Sequence, residues 1–397
     1  MSSNKAIIPL HCQAMNYAWG KVGKKSLVYQ YIAHNQKEGN DPNAPYAEFW
    51  MGDHPNAPSV NEDGKRISEI LKNSDKTDEE SLPFLFKILS VQKPLSLQCH
   101  PNLKNAAILH KKDPQHYPDP NHKPEMGFFL TKGSLLYGIR EYKQIIKYFE
   151  KVPEFKNLIS KDALENFVSN PNKETFKVVF NQILTCDKKR LSENLTVFKA
   201  KHAKGEYSFI DEHTNHGIDL IIENFPNDVG VFIPFILNVV VFQPGEAIVM
   251  QTGTLHAYLE GDLIEIMAIS DNVVRAAMTP KFVDVETLFK VMTFDPQGPK
   301  YINPTKEYFS NNQKSFLDYF ATGYDSFNLE HGNMQSGETM KIKAKKCASI
   351  ISILKGKIKL NGKEFHEGNT ALVIANNELQ VENAGEESVD FYIGFSQ

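Results

Sequence analysis

The spacing of apolar residues changes period along this chain, and that change limits what it can fold into. The segment from Glu141 through Lys204 contains no glycine, and its apolar residues fall three and four apart. Val152, Phe155, Leu158 and Ile159 form one such set, and Phe176, Val179, Phe180, Ile183 and Leu184 a second, continued by Leu191, Leu195 and Phe198. That spacing puts side chains on one face of a helix, whereas a period of two belongs to strands. On either side of this block the apolar runs are short and broken by Pro, Gly and Asn. Phe84–Leu89 and Leu95–Leu97 read as strands bounded by Pro83 and Pro94, and Asn102–Lys112 and Val285–Met292 as short helices. Further on, Ile350–Leu354, Lys357–Leu360 and Ala371–Ile374 alternate, and Asn361-Gly362 is a hairpin signal. The order is therefore β, α, β, β. Many short strands with regular turns favour sandwiches or barrels of the jelly-roll kind.

With 397 residues the chain exceeds one ordinary domain of ~150. Its 44 basic and 48 acidic residues leave a net charge of −4, which argues against nucleic acid as a partner, because phosphate backbones select a basic excess. The longest apolar stretch, Val231 to Phe242, is interrupted by Pro234 and Asn238 and is too short to cross a bilayer. Cys12, Cys99, Cys186 and Cys347 lie far apart without a CxxC pair, so reduced thiols are expected. With no apolar leader pattern at the start, the expected location is cytoplasmic. Gly20 to Ser26 has the wrong glycine spacing for a phosphate loop, and GxGxxG, GxSxG and HExxH are absent.

Four segments can carry chemistry. In Leu97-Gln98-Cys99-His100, an extended backbone points Gln98 and His100 the same way and Cys99 the other. Gly253 precedes His256 by three residues, and a tight turn there would present the imidazole inward at a barrel mouth. The spacing from Gly245 to His256 resembles the second metal motif of the cupin superfamily, with Gln251 where proline is usual. In Asn121-His122-Lys123-Pro124-Glu125, prolines fix the backbone around a carboxylate, with Lys123 on the same side if extended. Two histidines, a glutamate and a glutamine make a mixed nitrogen and oxygen set suited to Zn²⁺ with an open position. Any one of these histidines alone reads better as a hydrogen-bonded surface group; the coincidence favours metal. Finally, Glu265 sits in an apolar run, where a carboxylate must be paired or functional. A structural ion pair between Glu265 and Arg275 is one reading of it.

Taken together, the chain resembles the zinc-dependent type I phosphomannose isomerases of the cupin superfamily. The resemblance rests on Tyr17-Ala18-Trp19-Gly20, Tyr46-Ala47-Glu48-Phe49-Trp50-Met51-Gly52, Pro83 to Leu89, Ser96-Leu97-Gln98-Cys99-His100-Pro101, Asn121 to Met126, Gly253-Thr254-Leu255-His256-Ala257-Tyr258, and Ser270 to Ala277 with Thr279-Pro280-Lys281. Ala277-Met278 stands where the family tends to have Gly-Leu. The resemblance implies a mainly β fold: two cupin-type jelly-roll barrels with an inserted helical domain. Residues 1–140 and 229–315 would form a discontinuous catalytic domain, 141–228 the helical insertion, and 316–397 a degenerate barrel with Asn376 to Leu379 where a ligand histidine is expected.

It also implies one Zn²⁺ per chain, held by Gln98, His100, Glu125 and His256, and a catalytic assignment at Arg275. The implied reaction interconverts mannose 6-phosphate and fructose 6-phosphate through a cis-enediolate, feeding mannose activation to GDP-mannose, in a protein that is usually a monomer with no membrane partner. Such chemistry needs a proton carrier, an oxyanion stabiliser and a cationic phosphate site. A guanidinium stays protonated, so Arg275 suits the oxyanion. Glu265 suits proton transfer, with Asp271 and Lys123 as rivals. Lys87, Lys123 and Lys281 are the phosphate candidates, Ser96 a hydroxyl donor, and Tyr258 joins the substrate-binding set. Rival readings are an iron cupin dioxygenase, whose open positions Gln98 would crowd, and a non-enzymatic sugar-binding bicupin, which leaves Glu265, Lys123 and Arg275 unexplained.

Overall fold

The computed structural model describes residues 6–35, 40–74, 80–310 and 313–397. Its organising element is the strand His256–Ala268. The first part of this strand pairs with Gly133–Ile139 on one side and, at His256, with Gln98 of Leu97–Cys99 on the other. The second part pairs with Phe84–Val91 and Glu125–Phe129. A strand that changes partners along its length must bend. Here the register slips between Tyr258 and Glu260, and Gly261 follows at φ 121°. A Cβ at Gly261 would come within 3.0 Å of the Gly133 Cα, so the bend needs a residue without one. The ten-stranded sheet is thereby folded into two halves, whose inner residues Leu89, Leu135, Tyr137, Val240, Tyr258 and Leu263 pack as one cluster. Gly261→Ala is expected to cost about 1–3 kcal/mol of stability. Equilibrium urea unfolding checks this, and an unshifted midpoint would show that the bend does not depend on this glycine.

Alternation along the second half-sheet separates two environments. Phe84, Phe86, Ile88, Ile264, Ile266, Met126 and Phe128 face Phe320, Leu329, Ile350, Leu372 and Tyr392 of a seven-stranded sheet. Leu85, Lys87, Leu89, Leu263, Glu265 and Met267 point the opposite way, into the fold between the halves. The seven-stranded sheet in turn packs on a four-stranded one through Met340, Ile358, Val381, Phe391 and Ile393. Asn361-Gly362 makes the hairpin between Lys357–Leu360 and Lys363–His366. The fold is mainly β with a helical insertion, as expected. Among the described residues the hydrogen-bonded strand orders do not close into rings, so the jelly-roll character appears as facing sheets. Ile7–Leu10 and Thr305–Tyr308, at opposite edges of the seven-stranded sheet, complete it by pairing with Thr370–Val373 and Phe316–Phe320. Short edge strands carry no signal of which sheet they will join.

The glycine-free block forms the helices Tyr142–Lys151, Pro153–Lys156, Lys161–Ser169, Lys173–Leu184 and Lys188–Ala203, followed by Glu212–Asn224. Ser160, Asn172, Asp187 and Asp211 cap four of them by accepting first-turn N–H groups. Their shared core includes Phe149, Phe155, Phe167, Phe176, Phe180 and Phe198, all fully buried. Among the described residues no helix is long and apolar enough to cross a membrane.

Candidate metal centre and cavity

Three ligand-type side chains converge where the half-sheets meet. The metal-ligating atoms of His100, Glu125 and His256 lie within 4.8 Å of one another, and all three residues are buried. His100 follows the strand Leu97–Cys99, Glu125 opens Glu125–Phe129, and His256 opens the long strand. The turn before His256 depends on Gly253, at φ 84°, whose N–H donates to the His100 carbonyl at 2.9 Å. One short turn therefore ties the two histidines together.

The hydrogen bonds set the state of both imidazoles. His100 Nδ1 lies 2.8 Å from the Asn272 carbonyl and His256 Nδ1 2.9 Å from the Thr254 carbonyl. A carbonyl only accepts, so Nδ1 carries the proton on each ring and Nε2 presents a lone pair inward. Burial holds His100 neutral, lowering its pKa to about 4. Burial opposes ionisation of Glu125, yet the Lys123 ammonium, 2.8 Å away, holds its carboxyl well below the usual range. The Nε2 atoms of both histidines and Oε2 of Glu125 are buried without a hydrogen-bond partner. An unmet buried polar atom costs about 1–3 kcal/mol, so three together call for a cation. Two neutral imidazoles and a carboxylate are the donor set a borderline divalent metal prefers. Asn272 braces the trio from behind, its amide donating to the carbonyls of Asp119 at 2.7 Å and Asn121 at 2.9 Å.

Cross-strand register places the neighbours. Gln98 is directly opposite His256 on one side and Arg275 on the other, so the three share one face of the sheet. Glu265 is opposite Lys87 and Gly127, and Lys87 is opposite Trp50. A cavity of about 710 Å³ opens over these rows. Gln98, Glu125, Lys123, Lys87, Glu265, Tyr258, Arg275, Asp271, Ser96 and Lys281 all line it, while His100 and His256 sit behind its wall, no more than 1% exposed.

The sequence-derived roles sort by their partners. Glu265 does not pair with Arg275: its Oε2 is 2.9 Å from Lys87 Nζ, which also lies 3.5 Å from Glu48. Lys87, one of the phosphate candidates, thus lines the cavity between two carboxylates. Lys123 is likewise committed, 2.8 Å from Glu125. Asp271 lies at the rim, its side chain 43% exposed and 3.2 Å from His54 Nε2. The hydrogen bond from His54 lowers its pKa, so it stays ionised rather than holding a proton. The Glu265 carboxyl is raised instead, chiefly by burial, with Lys87 opposing. The Tyr258 hydroxyl is pushed far up by burial beside Glu265 and stays protonated. Among the described residues, Arg275 makes no side-chain ion pair, and Lys281 touches only the Tyr17 ring, 6.0 Å from its centroid. Glu48 was missed, although it breaks an apolar strand as Glu265 does; it accepts a 2.6 Å hydrogen bond from Trp50. Lys93, at the cavity mouth, carries no sequence signal.

Comparison with known proteins adds an independent line. A family model described as phosphomannose isomerase type I, catalytic domain, matches residues 7–142, and one for the helical insertion domain of the same family matches 148–237. Mannose-6-phosphate isomerase of Homo sapiens is 34% identical over 382 residues, 89% of this chain and 88% of its own. That of Schizosaccharomyces pombe is 34% identical over 371 residues, covering 89% and 90%. Among solved structures, a variant of phosphomannose isomerase from Salmonella typhimurium superposes with a TM-score of 0.84 at 28% identity, covering 99% of this chain and all of that one. A zinc-bound mannose 6-phosphate isomerase superposes with a TM-score of 0.83 at 28% identity, over 99% and 100%.

Proposed function

The chain belongs to the type I phosphomannose isomerase family, and from that premise we propose how its cavity interconverts mannose 6-phosphate and fructose 6-phosphate with zinc as cofactor. The observation that carries the reading is the buried trio of unmet ligand atoms behind a cavity lined by carboxylates and free cations. His100, Glu125 and His256 would hold the zinc, with Gln98, beside His256, as the fourth ligand. When bound, zinc supplies a Lewis acid that polarises the carbonyl and hydroxyl oxygens of the reacting carbons.

The chain's own groups supply the rest. Glu265 carries the proton between C1 and C2: it is buried, its carboxyl is raised, and Lys87 fixes one of its oxygens. Arg275, unpaired and aligned with Gln98, steadies the oxyanion as charge develops. Lys123 balances Glu125 and orients it. Trp50 Nε1 holds Glu48, and Glu48 and Glu265 together hold Lys87. Lys281 and Lys93, with the Ser96 hydroxyl, form the phosphate site at the mouth. Cys12 and Cys99, buried as free thiols, suit a reducing, cytoplasmic setting, where the mannose 6-phosphate would be drawn towards GDP-mannose.

A coupled assay with mannose 6-phosphate, run with and without chelator, tests the assignment. Turnover that disappears on chelation and returns with Zn²⁺ is the expected result; no turnover at any metal loading refutes it. For the phosphate site, Lys281→Ala should raise KM roughly ten-fold with little change in kcat, the loss expected for one charge-assisted contact. An unchanged KM would remove Lys281 from that site.

A further inference from the structure

Four non-glycine residues among those described have φ in the left-handed region, and three of them are turn residues, Gln313, Asn361 and Asn376, at the surface or half-buried. The fourth is Met278, at φ 56° and 1% exposed, on the wall of the cavity between Arg275 and Lys281. A long apolar side chain gains nothing locally from that backbone, so its surroundings must impose it. We propose that Met278 is a positioning residue: clamped by the end of the helical insertion, it sets the course of the Arg275–Asp284 loop so that Arg275 and Lys281 stand on the cavity.

The clamp has two parts. The Asp228 carboxylate accepts the N–H of Gly230 at 2.7 Å and lies beside the Met278 backbone. The Met278 side chain occupies the space that a side chain at Gly230 would need, since a Cβ there would lie 2.4 Å from the Met278 Cγ. The loop is pinned at its ends by the Asp284 N–H donating to the Arg275 carbonyl at 3.1 Å, and its register slips between Arg275 and Ala277. Arg275 has no side-chain partner among the described residues to steer it, so the backbone at Met278 sets where its guanidinium points. The helical insertion thus governs the reacting centre without supplying a group to the metal.

The inference rests on the isomerase reading for its readout, and wild-type turnover of mannose 6-phosphate separates the two: an inert wild type fails that reading, not this one. In the full-length zinc-loaded protein, Met278→Gly permits the same φ but releases the clamp. It should lower kcat/KM at least roughly ten-fold, because small misplacements of catalytic groups cost that much or more. Zinc content should stay at the wild-type value while Tm falls as expected for a truncated buried side chain, and Met278→Leu, which refills the space beside Gly230, should retain kcat/KM within about two-fold of wild type. Wild-type kcat/KM in Met278→Gly overturns the proposal, and so does a loss of activity that merely parallels loss of zinc. If Met278→Gly does not fold, Gly230→Ala decides. It crowds the Met278 side chain and should lower kcat/KM with zinc retained, and full activity there overturns the proposal.

Discussion

His256→Ala is expected to lose metal and activity together, with kcat down by roughly three orders of magnitude or more, since the Lewis acid is worth several kcal/mol of charge stabilisation. The residue is fully buried, and its Nδ1–H is fixed to the Thr254 carbonyl at 2.9 Å. Among the described residues its Nε2 has no hydrogen-bond partner, and it stands 3.3 Å from Glu125 Oε2, as two ligands of one cation would. Removing it leaves His100 and Glu125, and even with Gln98 recruited the set is one ligand short of the four proposed. It also leaves Glu125 with less to compensate a carboxylate buried at the heart of the fold. The protein should still fold, because the imidazole contributes to no apolar cluster and truncation there spares the sheet pairing on either side. Zinc content after dialysis and the coupled isomerase assay give the two readings. A variant that holds no zinc and turns over at the wild-type rate would sink the site; one that keeps full zinc would move His256 out of the ligand set.

The candidate ligand residues were legible because each sat in a local pattern with a physical consequence. Period two put Gln98 and His100 on one face, Gly253 announced the turn before His256, and prolines framed Glu125. The helical block was legible through missing glycine and regular Phe spacing, and every phenylalanine read into those faces is buried. What stayed hidden depends on register between distant strands. Glu265 next to Lys87 and not Arg275 is a matter of which residues the long strand sets opposite one another. That register is set by the bend at Gly261, for which the sequence offers only one glycine among many. The same holds for His54 beside Asp271 and for Glu48 beneath Trp50. Ile7–Leu10 closing the edge of a sheet made by the last third of the chain is the most remote such pairing.

Glu265→Gln separates the two parts a buried carboxylate could play. The amide keeps shape and can still accept from Lys87, but it can neither carry the charge nor take a proton. If Glu265 moves the proton between C1 and C2, kcat should fall by about 10²–10⁴ while zinc stays stoichiometric. If it serves only as counter-ion to Lys87, kcat should hold and stability should fall, because the ammonium would retain just Glu48 at 3.5 Å. The structure favours the first. Lys87 already has that second carboxylate and the face of Trp50, 5.3 Å from the ring centroid, so its charge is not left to Glu265 alone. Glu265 faces Gly127 across the sheet, with the Tyr258 hydroxyl beside it, and lines the cavity. Its raised pKa brings the carboxyl nearer to neutrality than a surface glutamate, which is what reversible proton carriage requires. Asp271, at the rim and held ionised by His54, lacks that property. The double variant Lys87→Met with Glu265→Gln completes the cycle. It should regain no turnover, because the proton carrier is still missing. Recovery of turnover in the double variant would assign Glu265 to charge balance and leave the proton to another group.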